Sequence, residues 1–289
     1  MDKRIRGIST EIEGHVVNAR YSVNMNEIVG THNILFVCLD TLRYDVAFEE
    51  QEKNNTPNLN KYGKWEKRHA PGNFTFPSHM AMFAGFLPTP EQPTPKLEVE
   101  RLFIPKDNVA NRPTPKEAYL FEGANFVEGL ERTGYETICV GGVNFFNKRT
   151  ELGRVLPGLF KRSYWHPSFS CHIKNSFENQ LSFIERKLGR YDKDKRVFLY
   201  LNIDSIHYPN YFYVDGAKED SIHTHAAALR YVDSHIERLF HLFREKGKTF
   251  VIICSDHGSC YGEDGYHFHR LSHEMVYTVP YKHFVLQEG

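Results

Sequence analysis

The sequence predicts an α/β fold, and three observations carry that prediction. Four short runs are apolar almost throughout, at 34–39 (ILFVCL), 137–141 (TICVG), 197–203 (VFLYLNI) and 249–254 (TFVIIC). Such runs are the pattern of parallel strands buried on both faces. Segments of helical periodicity alternate with them, as crossover helices do in a mainly parallel sheet. Three of the four runs also lead straight into an aspartate, and ligands of open α/β sheets sit beyond the carboxyl ends of the strands.

Taken in order, residues 1–30 are polar without strong periodicity and read as an N-terminal extension, with Met25 a candidate internal start. Residues 31–289 read as a single catalytic domain. The run 34–39 is its first strand. The stretch 86–116 holds seven of the 14 prolines and no period, so it reads either as a wall of the substrate pocket or as a disordered insertion. Residues 117–132 place Leu120, Val127 and Leu130 at helical spacing, with Gly134 as the stop. The strand 137–141 follows. The next helix is 176–188, with Phe177, Leu181, Ile184 and Leu188 on one face and Ser176 as its N-cap. After the strand 197–203 comes the longest helix, 226–246, with Leu229, Val232, Ile236, Leu239, Phe240 and Phe243 inward and Gly247 at its end. The strand 249–254 closes the series.

Composition narrows the function. With 40% apolar and 14% aromatic residues the chain can bury a core, which excludes a wholly disordered protein. Lys+Arg and Asp+Glu balance at 36 each, so bulk electrostatics do not recruit a nucleic-acid polymer or an acidic membrane. No apolar run reaches the roughly 18 residues of a membrane span, and the N-terminus lacks a secretory core. The five cysteines (Cys38, Cys139, Cys171, Cys254 and Cys260) form no close pair, and three of them lie in strand-like runs. Together these features predict a cytoplasmic protein. Sixteen histidines are the one oddity. His223 and His225 read as solvated, and His235 and His241 do not share a helix face.

The chemistry-bearing residues cluster after the strands. The sequence reads Leu39-Asp40-Thr41, then Ile203-Asp204-Ser205-Ile206-His207, then Cys254-Ser255-Asp256-His257-Gly258. One aspartate after a strand can be a turn or helix cap. Three at one sheet edge, two with a histidine nearby, suit a metal such as Zn²⁺ or Mn²⁺. A second cluster is Thr75-Phe76-Pro77-Ser78-His79. Pro77 suits the first residue of a helix, and Thr75 then lies at or just before that N-terminus, either as a simple cap or beside an anion. A third runs from Gly262 through His267 to His269. In an extended segment the two histidines face the same side, and either or both could bind metal.

These residues resemble the alkaline phosphatase superfamily, and its sulfatase-like branch in particular. Thr75-x-Pro77-Ser78-His79 with Gly85 has the spacing of the sulfatase signature, with changes at its first and fifth places. The Thr-Phe-Pro-x-His form is similar to the nucleotide pyrophosphatase/phosphodiesterases, whose nucleophile is Thr. LDTLRYD at 39–45 resembles the metal-binding start of sulfatases. SDHG at 255–258 followed by YGEDGYHFH resembles a segment of the phosphoethanolamine transferases, and Val279-Pro280 is similar to the strand start that follows it. The matches run in order from about residue 33 to 283. The resemblance implies a three-layer α/β/α sandwich of the alkaline-phosphatase kind with a mostly parallel central sheet. It implies that Asp40, Thr75, Asp256 and His257 hold one divalent metal, zinc first, with manganese or calcium as alternatives. His207 and His269 would be second-metal ligands or would touch the substrate anion, and Asp204 is a further candidate ligand. Arg43 reads either as a partner that orients Asp40 or as a surface ion pair.

The activity implied is metal-dependent hydrolysis of phosphate mono- or diesters through a covalent phospho-threonine at Thr75, with His207 and His269 serving the leaving oxygen. The expected partner is a small anionic phosphate-ester or sulfate-ester substrate, with no nucleic acid polymer and no membrane. Three alternatives stand beside it: a phosphoryl or phospho-alcohol transferase on the same scaffold, a protein acting on sulfate esters without formylglycine, and a non-catalytic metal binder. Formylglycine is an aldehyde made from Cys or Ser. Oxidising Thr75 would give a ketone, because its Cβ carries a methyl group.

Overall fold

The computed structural model describes residues 23–85, 103–105, 119–121 and 125–289. In chain order the strands are β1 (Asn33–Leu39), β2 (Glu66–His69), β3 (Phe103–Pro105), β4 (Tyr119–Phe121), β5 (Glu136–Val140), β6 (Arg162–Tyr164), β7 (Val197–Ile203), β8 (Thr249–Cys254), β9 (Cys260–Tyr261), β10 (His267–Phe268) and β11 (Thr278–Leu286). Seven of them form one sheet in the order β2-β11-β8-β1-β7-β5-β6. From β8 to β6 every pairing is parallel, while β11 runs antiparallel to both β8 and β2. The central β1 and β7 are buried along their whole length, which is why they read as unbroken apolar runs.

Side chains alternate across the pleat and so divide the core in two. Leu35, Val37 and Leu39 of β1 join Leu199, Leu201, Val251 and Ile253 on one face. The helices Ser176–Leu188 and Ile222–Lys246 cover that face with Leu181, Ile184, Val232, Ile236 and Phe240. Ile34, Phe36 and Cys38 point the other way, toward Phe198, Tyr200, Phe250 and Cys254. There they meet Phe76, Met80 and Phe83 of the helix Thr75–Ala84 and Val127 and Leu130 of Phe126–Arg132. The result is the three-layer α/β/α sandwich of the alkaline-phosphatase kind. Each of these large side chains contributes about 1.5–3 kcal/mol on burial.

Several boundaries differ from the sequence reading. The helix expected from residue 117 begins only at Phe126, where the Asn125 side chain accepts the Glu128 N–H at 3.0 Å. Upstream, Tyr119–Phe121 is a short strand paired with Phe103–Pro105. The rest of the proline-rich 86–116 stretch lies outside the described residues. The long helix starts at Ile222, not 226, because Ser221 and Thr224 form a reciprocal capping box. Ser176 is the first helical residue and not its cap, and its hydroxyl bonds Ser205 Oγ at 2.8 Å. Within 1–30, Met25–Ile28 forms one helical turn, and its Ile28 is buried. Among the described residues no helix is long and apolar enough to cross a membrane.

Candidate metal centre

The strand register builds the centre. Cys38 pairs with Cys254 across β1 and β8, and Leu39 pairs with Ile203 across β1 and β7. Continuing each register by a residue or two brings Asp256, Asp40 and Asp204 into one row at the carboxyl edge of three adjacent strands. Neighbouring strands lie about 4.8 Å apart, so the carboxylates are near neighbours. All three are buried, at 0%, 0% and 1% exposure.

Buried carboxylates need compensation, and the structure supplies it only in part. Asp40 Oδ2 accepts the Asn202 amide at 3.0 Å, while its Oδ1 has no partner. Asp256 Oδ1 accepts the N–H of Thr41 at 3.2 Å and of His257 at 3.0 Å, while its Oδ2 forms no hydrogen bond. Thr41 adopts a left-handed φ of 64°. For a β-branched residue that is strained by about 1–3 kcal/mol, and it goes with the amide that Thr41 directs at Asp256. Burial, with the facing Asp256 second, pushes the Asp40 carboxyl up to about 6. Burial pushes Asp256 up to about 7 against the amides that pull it down.

His257 completes the set. Its Nδ1–H donates to the Gly258 carbonyl at 2.9 Å, a bond that assigns the proton there and leaves the Nε2 lone pair facing inward. Nε2 lies 3.4 Å from Asp256 Oδ2, 3.8 Å from Asp40 Oδ1 and 3.5 Å from Thr75 Oγ. Asp40, Asp256 and His257 thus offer three ligand atoms within 4.8 Å of one another, and Thr75 adds a hydroxyl beside them. Two orphaned carboxylate oxygens, an imidazole nitrogen and a hydroxyl converging in a buried site are the donor set of a divalent cation. The residues fit such a metal cofactor.

Thr75 opens the helix Thr75–Ala84, and no side chain caps it, since the N-cap position is Phe74. Pro77 has no N–H and the Ser78 N–H bonds the Phe74 carbonyl at 3.3 Å, so the helix start offers the amides of Thr75 and Phe76, and a helix start favours negative charge. Pro77 falls third in the helix and not first. His79, one turn on, shares its Nδ1 with the Thr75 carbonyl at 2.6 Å and lies 3.6 Å from Asp256 Oδ2. Burial pushes its pKa down to about 3, so the ring is neutral.

Beside His257 stands His269, with His207 next to it. The His269 ring centre is 4.4 Å from that of His257 and 5.4 Å from that of His207. Burial lowers the pKa of both. His267 is exposed while His269 is half-buried, so the two do not share a face. Phe268 between them has a left-handed φ of 69°, which breaks the extended geometry that would align them. Asp204 stands in the carboxylate row, with His207 and Cys171 beside it.

Other expectations are corrected. Arg43 does not orient Asp40. Its guanidinium bonds Asp45 and Glu263 instead and contacts the Ser259 carbonyl, fastening the loop after β1 to the loop after β8. His225 is not solvated but fully buried. It accepts the Arg43 N–H at Nε2, and its Nδ1–H donates to the Tyr261 hydroxyl at 2.9 Å. Sequence reasoning also missed Asn202. Its Oδ1 accepts the N–H of Gly142 and of Val143, both at 3.1 Å, while its amide holds Asp40. The signal was present, because an Asn inside VFLYLNI must find partners when the strand is buried.

Fold and site together define a metal-dependent enzyme of the alkaline phosphatase superfamily, with a catalytic metal site of the kind that superfamily uses. The family profile described as Sulfatase matches residues 32–281, and the chain belongs to that family. No curated protein matches the sequence. Among solved structures, the chain is similar to the C-terminal periplasmic domain of the phosphoethanolamine transferase EptC from Campylobacter jejuni. The TM-score is 0.59 at 17% identity, covering 88% of this chain and 80% of that one. It is similar to the soluble domain of the lipooligosaccharide phosphoethanolamine transferase A from Neisseria meningitidis, with TM-score 0.58 and 16% identity, covering 89% and 77%. A third is the lipoteichoic acid synthase LtaP from Listeria monocytogenes, with TM-score 0.54 and 12% identity, covering 87% and 65%.

The expected cytoplasmic location is overturned, because several of the similar structures are periplasmic domains. The cysteine argument behind it also fails physically. All five thiols are free and buried, and burial shields them from oxidants wherever the protein resides.

Proposed function

We propose that the chain transfers a phosphoryl-bearing group from a small anionic phosphate ester, through a covalent bond to Thr75, onto an acceptor hydroxyl. The observation that carries this is the Thr75 hydroxyl itself. It lies 3.5 Å from His257 Nε2, at an uncapped helix start, against two carboxylates with unpartnered oxygens. Asp40, Thr75, Asp256 and His257 would hold a divalent ion, which would supply Lewis-acid polarisation and lower the pKa of the threonine hydroxyl so that it reacts near neutral pH.

The chain's own groups do the rest. Thr75 Oγ attacks phosphorus in line, and the bond to the leaving oxygen breaks with its electron pair. The free amides of the first helical turn hold the phosphoryl oxygens. In this reading the Thr75 proton passes to solvent, and the leaving oxygen takes a proton from solvent while hydrogen-bonded to the neutral His269, with His207 beside it. The acceptor hydroxyl then attacks the phospho-threonine from the opposite side, restores Thr75 and gives up its proton. Because the chain has zero net charge, the pull on an anion comes from the ion and the helix terminus.

Transfer is favoured over hydrolysis because the similar structures include phosphoethanolamine transferases. Hydrolysis to water remains the second reading, since water reaches the same face as any acceptor. A sulfate ester fits less well, because Thr75 cannot become formylglycine. The test uses a nitrophenyl phosphodiester with and without a primary alcohol. The expected result is a phospho-Thr75 adduct in the mass spectrum and product partitioned to the alcohol. Release of the phosphomonoester unaffected by the alcohol would sink the transferase reading. Full turnover by Thr75→Ala would sink the nucleophile.

A further inference from the structure

On the reading that places His269 beside the leaving oxygen, we propose that Phe268 and Tyr208 form a stacking subsite for an aromatic ring carried by the departing alcohol. The substrate class is then an aryl or arylmethyl phosphate ester. Two costs at Phe268 motivate this. Its φ of 69° is left-handed, a conformation that glycine or asparagine adopts at less cost. Its ring is 53% exposed, the highest value among the exposed large apolar side chains of the described residues. The left-handed backbone has a use of its own, since it leaves His267 outside and sets His269 against His257. That use asks nothing of a phenyl ring at position 268. An exposed ring on a strained residue at the edge of a site is accounted for by what it touches when the site is filled.

The ring has a counterpart. Tyr208 lies 4.8 Å from Phe268 between ring centres, tilted by 51°, and 5.5 Å from His269. Tyr208 is also 4.1 Å from the His207 ring, whose Nδ1–H donates to the Tyr208 carbonyl at 2.6 Å. The backbone beneath both rings is fastened. Phe268 pairs with Cys260 across β10 and β9. Asp220 Oδ1 accepts the N–H of Asn210 at 2.7 Å and of Tyr211 at 2.8 Å. The Asn210 amide donates to the Ile206 carbonyl at 2.9 Å and to the Tyr261 hydroxyl at 3.1 Å, which ties the loop carrying Tyr208 to β9. Two rings held in this way lose little freedom when a third joins them.

An aromatic ring suits the place better than an alkyl chain. Tyr208 abuts His269, so the body of the leaving group meets the rings when it is joined to the leaving oxygen directly or through a methylene. Aromatic rings gain from offset or edge-on contact at about 4.5–7 Å between centres. A long chain needs a continuing apolar track, whereas Asp264, His267 and Arg270 on the same hairpin are polar and exposed.

The full chain loaded with Zn²⁺ is titrated calorimetrically with benzylphosphonate, ethylphosphonate and cyclohexylmethylphosphonate. In these probes carbon stands in for the leaving oxygen, and no ester bond can be cleaved. Benzylphosphonate should bind about 10-fold tighter than ethylphosphonate. It should also bind tighter than cyclohexylmethylphosphonate, which has similar bulk and no aromatic face. Phe268→Asn removes the ring and tolerates the left-handed φ, so the benzyl-to-ethyl ratio should fall toward unity. Phe268→Trp should restore it. A ratio near unity in the parent chain, or one that Phe268→Asn does not move, would overturn the subsite. Equal binding of the benzyl and cyclohexylmethyl probes would overturn its aromatic character. Should Phe268→Asn disturb the fold, Tyr208→Leu decides, with a lowered ratio expected and an unchanged one refuting the pair. Turnover is measured separately. Benzyl preference without a phospho-Thr75 adduct from the nitrophenyl diester would uphold the subsite and defeat the transfer reading. An adduct without the preference would do the reverse, and failure of every phosphonate to bind would defeat both.

Discussion

At the scale of single residues, Asn202 shows how a strand interior serves a site at its end. One amide group spans two elements, holding Asp40 with its nitrogen and the Gly142-Val143 turn with its oxygen. Replacing it by leucine keeps the branching but strands three buried polar groups. Asn202→Leu should cost about 1–3 kcal/mol of stability and about 10–100-fold in metal affinity. Chemical unfolding and a competitive chelator titration measure the two. Thr75→Ser, by contrast, should keep the covalent adduct, since only a methyl group is removed. The site residues differ in how far the sequence announced them. Asp40, Thr75, Asp256 and His257 sit in short ordered motifs. Cys171 and His225 have no motif context, and their burial depends on distant segments folding over them.

At the scale of elements, Gly258 explains why the Asp256-His257 turn ends in glycine. A Cβ there would lie 1.9 Å from the Met275 carbonyl oxygen, with Arg43 Cγ at 3.2 Å. Gly258→Ala should therefore destabilise by about 1–3 kcal/mol or more and displace His257, whose ring is held by the Gly258 carbonyl. A lower Tm together with weakened metal binding is the expected pair of readings. The long helix Ile222–Lys246 carries a pH dependence of its own through His225. Burial lowers its pKa to about 3, below the ordinary histidine value of 6.5. Between those values the unfolded chain binds more protons, so the stability tied to the neutral ring is full above about 6.5 and is lost as pH falls toward 3. His225→Gln should flatten the fall in urea midpoint between pH 7.5 and pH 5 relative to the parent. The strands that were legible are those buried on both faces. β11 was legible only at its start, through the resemblance at Val279-Pro280, because its nine residues mix Lys282, His283 and Pro280 with apolar positions, as an antiparallel strand near the sheet edge can.

At the scale of the whole molecule, the metal centre and the fold are linked thermodynamically. Asp40 and Asp256 hold protons more tightly folded than unfolded, at about 6 and about 7 against 3.8. The metal-stripped protein should lose stability as pH rises from about 4 to 7. A dication replaces those protons, so its stabilising effect should be larger at pH 7.5 than at pH 5. At a free concentration of 100 times Kd the gain at the higher pH should be about 2.7 kcal/mol, read as a Tm difference in paired scans with and without Zn²⁺. The centre also unites distant parts of the chain, since the Thr41 amide that holds Asp256 is 215 residues away from it. During synthesis at about 5–20 residues per second, the first half of the site emerges many seconds before the second. No nascent intermediate ending before Asp256 can assemble both carboxylates, so the ion is acquired only after β8 and the Asp256-His257 turn that follows it have been made.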